Sequence, residues 1–383
     1  MPHCDTGSQY WWDTTGRDLA YMLHNANYPK DTQHKFLTYY KDILCPLLGG
    51  PSRRDDVTQA KSWTWDGSTH EYSFEMKGSS KLLDVRFVAD FGELRPVNWE
   101  NPLSSANTET VISSFASRAP GFDDTWYKSL HKSFDCSHLS AKAQWELIDE
   151  AGHLSPLLIG FDILRDTPLG SNSDTLPLMG KAYFIPCLAA AAQKTTRFQA
   201  IRTAIYQLPS ICSYPNILNA LRVIEDYLST KPNDWENGAR FLSTDFISPD
   251  KARLKLYLRS PVSDFDTIWD YFTLGGRIPG LDDVKDQYRE FVMLLGGTGS
   301  DGDRTETPQA YAPGVETGNR RKSTTVYFSL DNRYPFPAPK VAFCARNVAA
   351  NDALVVKGLD QWLCKYGWAD NGTTIEEHVR KSL

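Results

Sequence analysis

The chain has 383 residues, 41% hydrophobic and 12% aromatic, and a formal net charge of −6, the profile of a globular protein able to bury a large core. With an acidic balance and no segment that clusters Lys and Arg, it lacks the concentrated basic patch that a nucleic-acid surface needs. The N-terminus MPHCDTGSQYWWDTTG has no basic-then-apolar leader, and no later stretch approaches about 18 uninterrupted apolar residues, so the sequence predicts a cytoplasmic protein without membrane association.

Apolar spacing predicts helices over 9–25 and 31–48, punctuated by Tyr28-Pro29 and closed by Gly49-Gly50-Pro51. Alternation then predicts strands over 70–77 (HEYSFEMK) and 82–91 (LLDVRFVADF), with Gly78-Ser79-Ser80 as the hairpin turn between them. The order repeats with helices at 107–118 and 123–134, an insertion at 135–153 with room for another helix, and strands at 155–164 and 178–187 (LMGKAYFIPC). Helices at 195–207 and 215–229 precede strands at 240–247 and 252–259. A fourth round has helices at 263–273 and 281–296, a Gly, Asp and Thr-rich loop near 297–320, and strands at 323–331 and 339–346. Two further helices, 349–367 and 374–382, follow. Four rounds of helix, helix, strand, strand predict an α+β fold in a single domain, 1–383. Hairpins add side by side into an antiparallel sheet that can close into a β-barrel, with helices outside.

The seven cysteines (Cys4, Cys45, Cys136, Cys187, Cys212, Cys344, Cys364) form no CxxC pair and are odd in number, which points to reduced thiols rather than a zinc site or disulfide framework.

The chemistry-bearing pattern is the placement of cations on predicted strands: Arg86, Lys181 with Tyr183, Arg253 with Lys255 and Tyr257, and Lys340. A period of two puts Arg253, Lys255 and Tyr257 on one strand face, and Lys181 with Tyr183 on another. A solvated face is one reading of such residues. In RLKLYL, however, Leu254, Leu256 and Leu258 occupy the alternate positions, and helices covering the sheet would take the leucines and turn the cations inward. Unpaired charges inside a barrel cost several kcal/mol each unless an anion compensates them. A diphosphate, with a charge of about −3, meets that need, each charge-assisted hydrogen bond contributing roughly 1.5–3 kcal/mol. The ring faces of Tyr183 and Tyr257 suit stabilising an allylic carbocation and excluding water from it, with plain core packing as the alternative.

Asp282-Asp283-Val284-Lys285-Asp286 fits the DDxxD pattern that holds magnesium and diphosphate in isoprenyl synthases. Such a site needs a second acidic cluster facing the first, and the sequence offers no convincing partner. Two aspartates after Pro279-Gly280-Leu281 also suit the first turn of a helix, so no metal site is predicted.

Taken in order, YWWDTTGRDLAYMLHNANYPKDTQHKFLTYYKDILCPLLG, YSFEMKGSSKLLDVRF, GKAYFIP, RLKLYL, WDYFTLGGRIPGLDD, PFPAPKVAF and LDQWLCKYGW span nearly the whole chain. These blocks resemble fungal aromatic (indole) prenyltransferases of the dimethylallyltryptophan synthase type. The resemblance implies the ABBA prenyltransferase barrel, ten antiparallel strands from five helix, helix, strand, strand repeats. It also implies an enzyme of secondary metabolism that needs no metal or other cofactor. Such an enzyme moves a dimethylallyl group from dimethylallyl diphosphate to an indole-containing or other electron-rich polycyclic aromatic acceptor, with a homodimer as an open oligomeric state. By resemblance Glu75 accepts a hydrogen bond from the indole N–H, Arg86, Lys181, Arg253 and Lys255 bind the diphosphate, and Tyr183 and Tyr257 belong to a tyrosine shield. Lys340 sits where relatives have Gln or Lys and is assigned to the same donor site. The base that restores aromaticity is not named, because where relatives often carry a lysine this chain reads Phe161-Asp162-Ile163-Leu164.

The sequence departs from the family pattern in three places. Ala342 replaces a shielding tyrosine, which predicts room for a bulkier donor such as geranyl diphosphate, or for a bulkier acceptor. The stretch VADFGELRPVNWENPLS after Arg86 and Phe87 differs from the shorter segment of tryptophan-specific members and favours a larger acceptor. The sequence stops at Ser382-Leu383, before the family's fifth, TYISF-type hairpin, so the expectation is a barrel lacking its last hairpin, with a catalytically impaired binding protein as the alternative function.

Overall fold

A computed structural model describes residues 6–50, 69–76, 83–92, 99–152, 154–166, 172, 174–260, 265–296, 324–342, 349, 351–367 and 374–377. Its strands are β1 (His70–Met76), β2 (Leu83–Ala89), β3 (Leu157–Ile163), β4 (Leu178–Phe184), β5 (Ala239–Asp245), β6 (Leu254–Arg259), β7 (Thr325–Leu330) and β8 (Ala338–Ala342). They follow one another in the sheet in sequence order, with antiparallel ladders from β1 to β5 and from β6 to β8. Helix pairs precede the hairpins: Arg17–Asn25 with Lys30–Tyr39, Ala106–Ala116 with Thr125–Phe134, Arg197–Tyr206 with Pro215–Leu228, and Phe265–Thr273 with Lys285–Leu295.

The insertion does hold a helix, Ala141–Ala151. The Ser140 side chain accepts a hydrogen bond from the Ala143 N–H at its start, and Gly152 ends it at φ 64°, a left-handed conformation that glycine adopts without steric cost. The second strand of that round is shorter than predicted. It ends at Phe184, and Cys187–Gln193 is helical, because Pro186 has no N–H to give to a ladder and its ring suits a helix start. The predicted turn Gly78-Ser79-Ser80, the 297–320 loop and 343–346 lie outside the described residues, as does most of 374–382.

The chain divides into two compact units, one formed by Met1–Pro209 with Leu242–Ala252, the other by Ser210–Phe241 with Arg253–Lys381. In the first, alternate residues of β2 and β3 (Val85, Phe87, Ile159, Phe161) are buried against helices. Phe87 stacks on Phe161 at 5.0 Å between centroids and meets Phe36 of the helix Lys30–Tyr39 edge-on at 5.9 Å. Phe115 reaches Phe161 at 5.5 Å and lies so close over Gly180 that a Cβ there would sit 2.7 Å from its ring. Burial of each such ring stabilises the unit by about 1.5–3 kcal/mol. In the second unit Leu254, Leu256, Leu258, Val326, Phe328 and Leu330 form the fully buried face of β6 and β7. In both units the opposite face of the strands is left for polar groups.

Candidate active site

In the first unit that opposite face carries Glu75 on β1, Arg86 on β2, Asp162 on β3, Lys181 and Tyr183 on β4, and Asp245 on β5. Register brings them together: Arg86 stands opposite Asp162, and Lys181 stands opposite both Gly160 and Asp245. The Arg86 guanidinium donates to Glu75 Oε2, and its Nε lies 3.2 Å from Asp162 Oδ1. The other Asp162 oxygen accepts from Lys181 Nζ. Lys181 is only 2% exposed. Burial pushes its pKa down, the charges of Asp162 and Asp245 push it back up, and Arg86 adds to the lowering.

This arrangement corrects one premise of the sequence reading. Arg86 and Lys181 are not bare cations awaiting an anion, because carboxylates from the neighbouring strands compensate them. The partly buried cluster is thereby stable before any ligand arrives, since an ion pair in low dielectric offsets much of the desolvation of its members.

Two local devices shape this face. A Cβ on Gly160 would lie 2.7 Å from the Tyr183 ring, so the glycine is what allows that ring to approach β3 so closely. Beyond the Arg86–Asp162 pair the β2–β3 ladder stops, and the buried Tyr28 hydroxyl enters between the strands. It accepts from Val85 N and donates to Ile163 O, both at 2.9 Å. Arg165 covers the Tyr28 ring at 4.2 Å, lies 3.5 Å from Asp84, and donates to Ala26 O, Asn27 O and Leu83 O. It is a cation with a purely structural set of contacts.

In the second unit β6 turns its leucines into the core and presents Lys255 and Tyr257 on its other face; Arg253 stands just before the strand. Lys255 is 8% exposed. Tyr257 pairs with Tyr327 of β7, their rings stacked at 4.7 Å and 19°, and meets Phe241 edge-on at 5.7 Å. Lys340 on β8 stands opposite Tyr327, and Ala342 opposite Thr325; both are exposed. Asp282–Val284 form a short 3-10 turn and Asp286 lies in the first turn of the helix Lys285–Leu295, the helix start expected of the DDxxD-like segment.

Sequence reasoning missed Asp162, Asp245 and Tyr327. Asp162 had a signal, being a lone carboxylate in the apolar strand LLIGFDI; Tyr327 had one in the alternation of TVYFSL. Neither pattern identifies a partner without the register.

Residues 7–378 match the family described as Tryptophan dimethylallyltransferase. The chain belongs to that family. It is 44% identical to Prenyltransferase phnF of Penicillium herquei, over 97% of this chain and 82% of that protein. It is 43% identical to DMATS-type prenyltransferase mfmD of Annulohypoxylon moriforme, over 97% of this chain and 83% of that protein. The 4-O-dimethylallyl-L-tyrosine synthase of Claviceps purpurea is 27% identical over 97% of this chain and 80% of its own. In fold it is similar to NotF in complex with brevianamide F and DMSPP, with a TM-score of 0.76 at 19% identity, covering 99% of this chain and 87% of that one. The protein is therefore an aromatic prenyltransferase with the ABBA-type fold. No helix among the described residues of this prenyltransferase is long and apolar enough to cross a membrane.

Proposed function

We propose that this prenyltransferase moves a dimethylallyl group from dimethylallyl diphosphate onto an indole-containing or other electron-rich polycyclic aromatic acceptor, with no metal or other cofactor. It acts as one domain, 1–383, in the cytoplasm and in secondary metabolism. The observation that carries this reading is the contact of Arg86 with Glu75 on the strand face that also holds buried Lys181. One side of that contact is a carboxylate suited to an acceptor N–H or O–H; the other is a pair of cations suited to a diphosphate.

In the proposed reaction the donor C–O bond breaks and its electron pair leaves with the diphosphate. Arg86 and Lys181 stabilise the charge that develops there, and Arg253, Lys255 and Lys340 take the same role from the family resemblance. The allylic cation is shielded by Tyr183 and Tyr257. Glu75 accepts a hydrogen bond from the acceptor, orients it and raises its nucleophilicity, a ring carbon attacks the cation, and loss of the proton from that carbon restores aromaticity.

The small, exposed Ala342 supports acceptance of geranyl diphosphate as a second donor. Relatives named for tyrosine and xanthone as well as tryptophan support phenols beside indoles as acceptors. No observation on the described residues favours the non-catalytic alternative. The test is purified enzyme with dimethylallyl or geranyl diphosphate and a panel of indoles and phenols, read by mass spectrometry, with Glu75→Ala alongside. Transfer in the wild type that falls about 10²–10³-fold in the variant, while donor hydrolysis persists, is expected. Equal transfer by both proteins would remove Glu75 from the mechanism.

A further inference from the structure

The half-buried carboxylate of Asp162 has no part in the reaction above, yet it lies between the two cations of the cluster. One oxygen lies 3.2 Å from Arg86 Nε and the other accepts from Lys181 Nζ. It reaches both because β3 runs between β2 and β4. Arg86 is its direct cross-strand partner, and Lys181 is diagonal to it, opposite Gly160, within reach of long side chains. We infer that Asp162 is a positioning residue of the transfer reaction, tying Arg86 and Lys181 into one charged pair aimed at the donor diphosphate. This role rests on the reading that Lys181 binds the donor.

The physical need comes from burial. An ammonium 2% exposed is disfavoured in its charged form, and a neutral amine gives a diphosphate only a weak hydrogen bond. The groups that bear on Lys181 are Asp162 from β3, Asp245 from β5 and Arg86 from β2, with Arg86 itself held by Glu75 of β1; Tyr183 neighbours it on β4. Both carboxylates favour its charge, and Asp162 also lies 3.2 Å from Arg86 Nε. An anion so close to the diphosphate opposes donor binding directly. Its benefit is that both cations are held in direction, and Lys181 is already desolvated, before the donor arrives, so the electrostatic stabilisation is preorganised.

The experiment is calorimetric binding of dimethylallyl thiolodiphosphate from pH 7.5 to 9.5, a range in which the donor charge is constant because a phosphate ester loses its last proton near pH ~6. Wild type, Asp162→Asn, Asp162→Glu and Lys181→Met are compared, each checked for folding by thermal melting; Asp162→Ser replaces Asn if that variant does not fold. D162N is expected to bind at least tenfold more weakly at pH 7.5. Its ratio to wild type should widen as pH rises, by up to tenfold per unit once Lys181 loses its proton, whereas D162E restores the wild-type slope. A D162N profile parallel to wild type, or affinity equal to it, overturns the role of Asp162. If K181M binds as wild type does, the donor-binding reading of Lys181 is what fails.

Discussion

Tyr28→Phe isolates one hydroxyl group whose loss ought to be felt in both stability and donor binding. The β2–β3 ladder runs only as far as Arg86 opposite Asp162, and the next amide and carbonyl, Val85 N and Ile163 O, both bond the Tyr28 hydroxyl at 2.9 Å. Tyr28 is 3% exposed, so water does not readily replace it. Phenylalanine keeps the ring beneath Arg165 and changes nothing else in volume. The variant therefore leaves one buried donor and one buried acceptor without partners, at about 1–3 kcal/mol each, or roughly 2–6 kcal/mol together. Urea denaturation with hydrogen exchange at Val85 reads this directly. A loss in that range, faster Val85 exchange and weaker donor affinity are expected, because the opening lies one residue from the Arg86–Asp162 pair. A loss below about 0.5 kcal/mol with Val85 protection intact would refute the wedge role, since unsatisfied buried groups cannot be that cheap.

Other predictions concern pH and close packing. His70 is buried, its ring nitrogens on the Tyr40 and Thr69 hydroxyls at 2.9 and 2.8 Å, and burial pushes its pKa down to about 3. The unfolded chain takes up that proton near pH ~6.5, so stability from this group is full above that pH and is lost as pH falls toward 3, by about 2 kcal/mol at pH 5. His70→Gln should flatten this part of the pH–stability curve, and an unchanged slope would contradict it. Gly160→Ala drives a methyl into the Tyr183 ring; the fraction of donor lost to water, measured as prenyl alcohol against product, should rise. An unchanged ratio would detach that ring from shielding. Gly358→Ala places a Cβ 2.1 Å from Leu294 O, backbone of the facing helix, and should lower stability by about 1–3 kcal/mol in a thermal or urea melt; a neutral result would mean the two helices separate freely.

The order of elements was legible in the sequence because two periodicities, 3.6 and 2, alternate in blocks long enough to read, with glycine and proline between them. The faces of β2, β4 and β6 were legible for the same reason: Leu254, Leu256 and Leu258 left only one side for Lys255 and Tyr257. The partners were not legible. Whether Arg86 meets Asp162, or Tyr257 meets Tyr327, depends on register between strands far apart in sequence, and a slip of one residue would turn each to the opposite face. The sequence reading therefore treated the cations as bare, assigned Glu75 only to the acceptor, and overlooked Asp162 and Asp245 beside Lys181. Tyr28 shows the same limit, since nothing in HNANYPK announces that its hydroxyl ends in a strand ladder more than fifty residues away. Arg165 shows the converse, a strand-end cation that serves only structure.

Turnover of the purified enzyme with dimethylallyl diphosphate and an indole or phenol acceptor in excess EDTA tests the central claim most directly. The account predicts a product heavier by one prenyl unit, formed at the same rate with EDTA as with magnesium, because Arg86, Lys181 and their companions supply the positive charge that the leaving diphosphate requires. Product that forms only when magnesium is restored would contradict it and return attention to Asp282, Asp283 and Asp286.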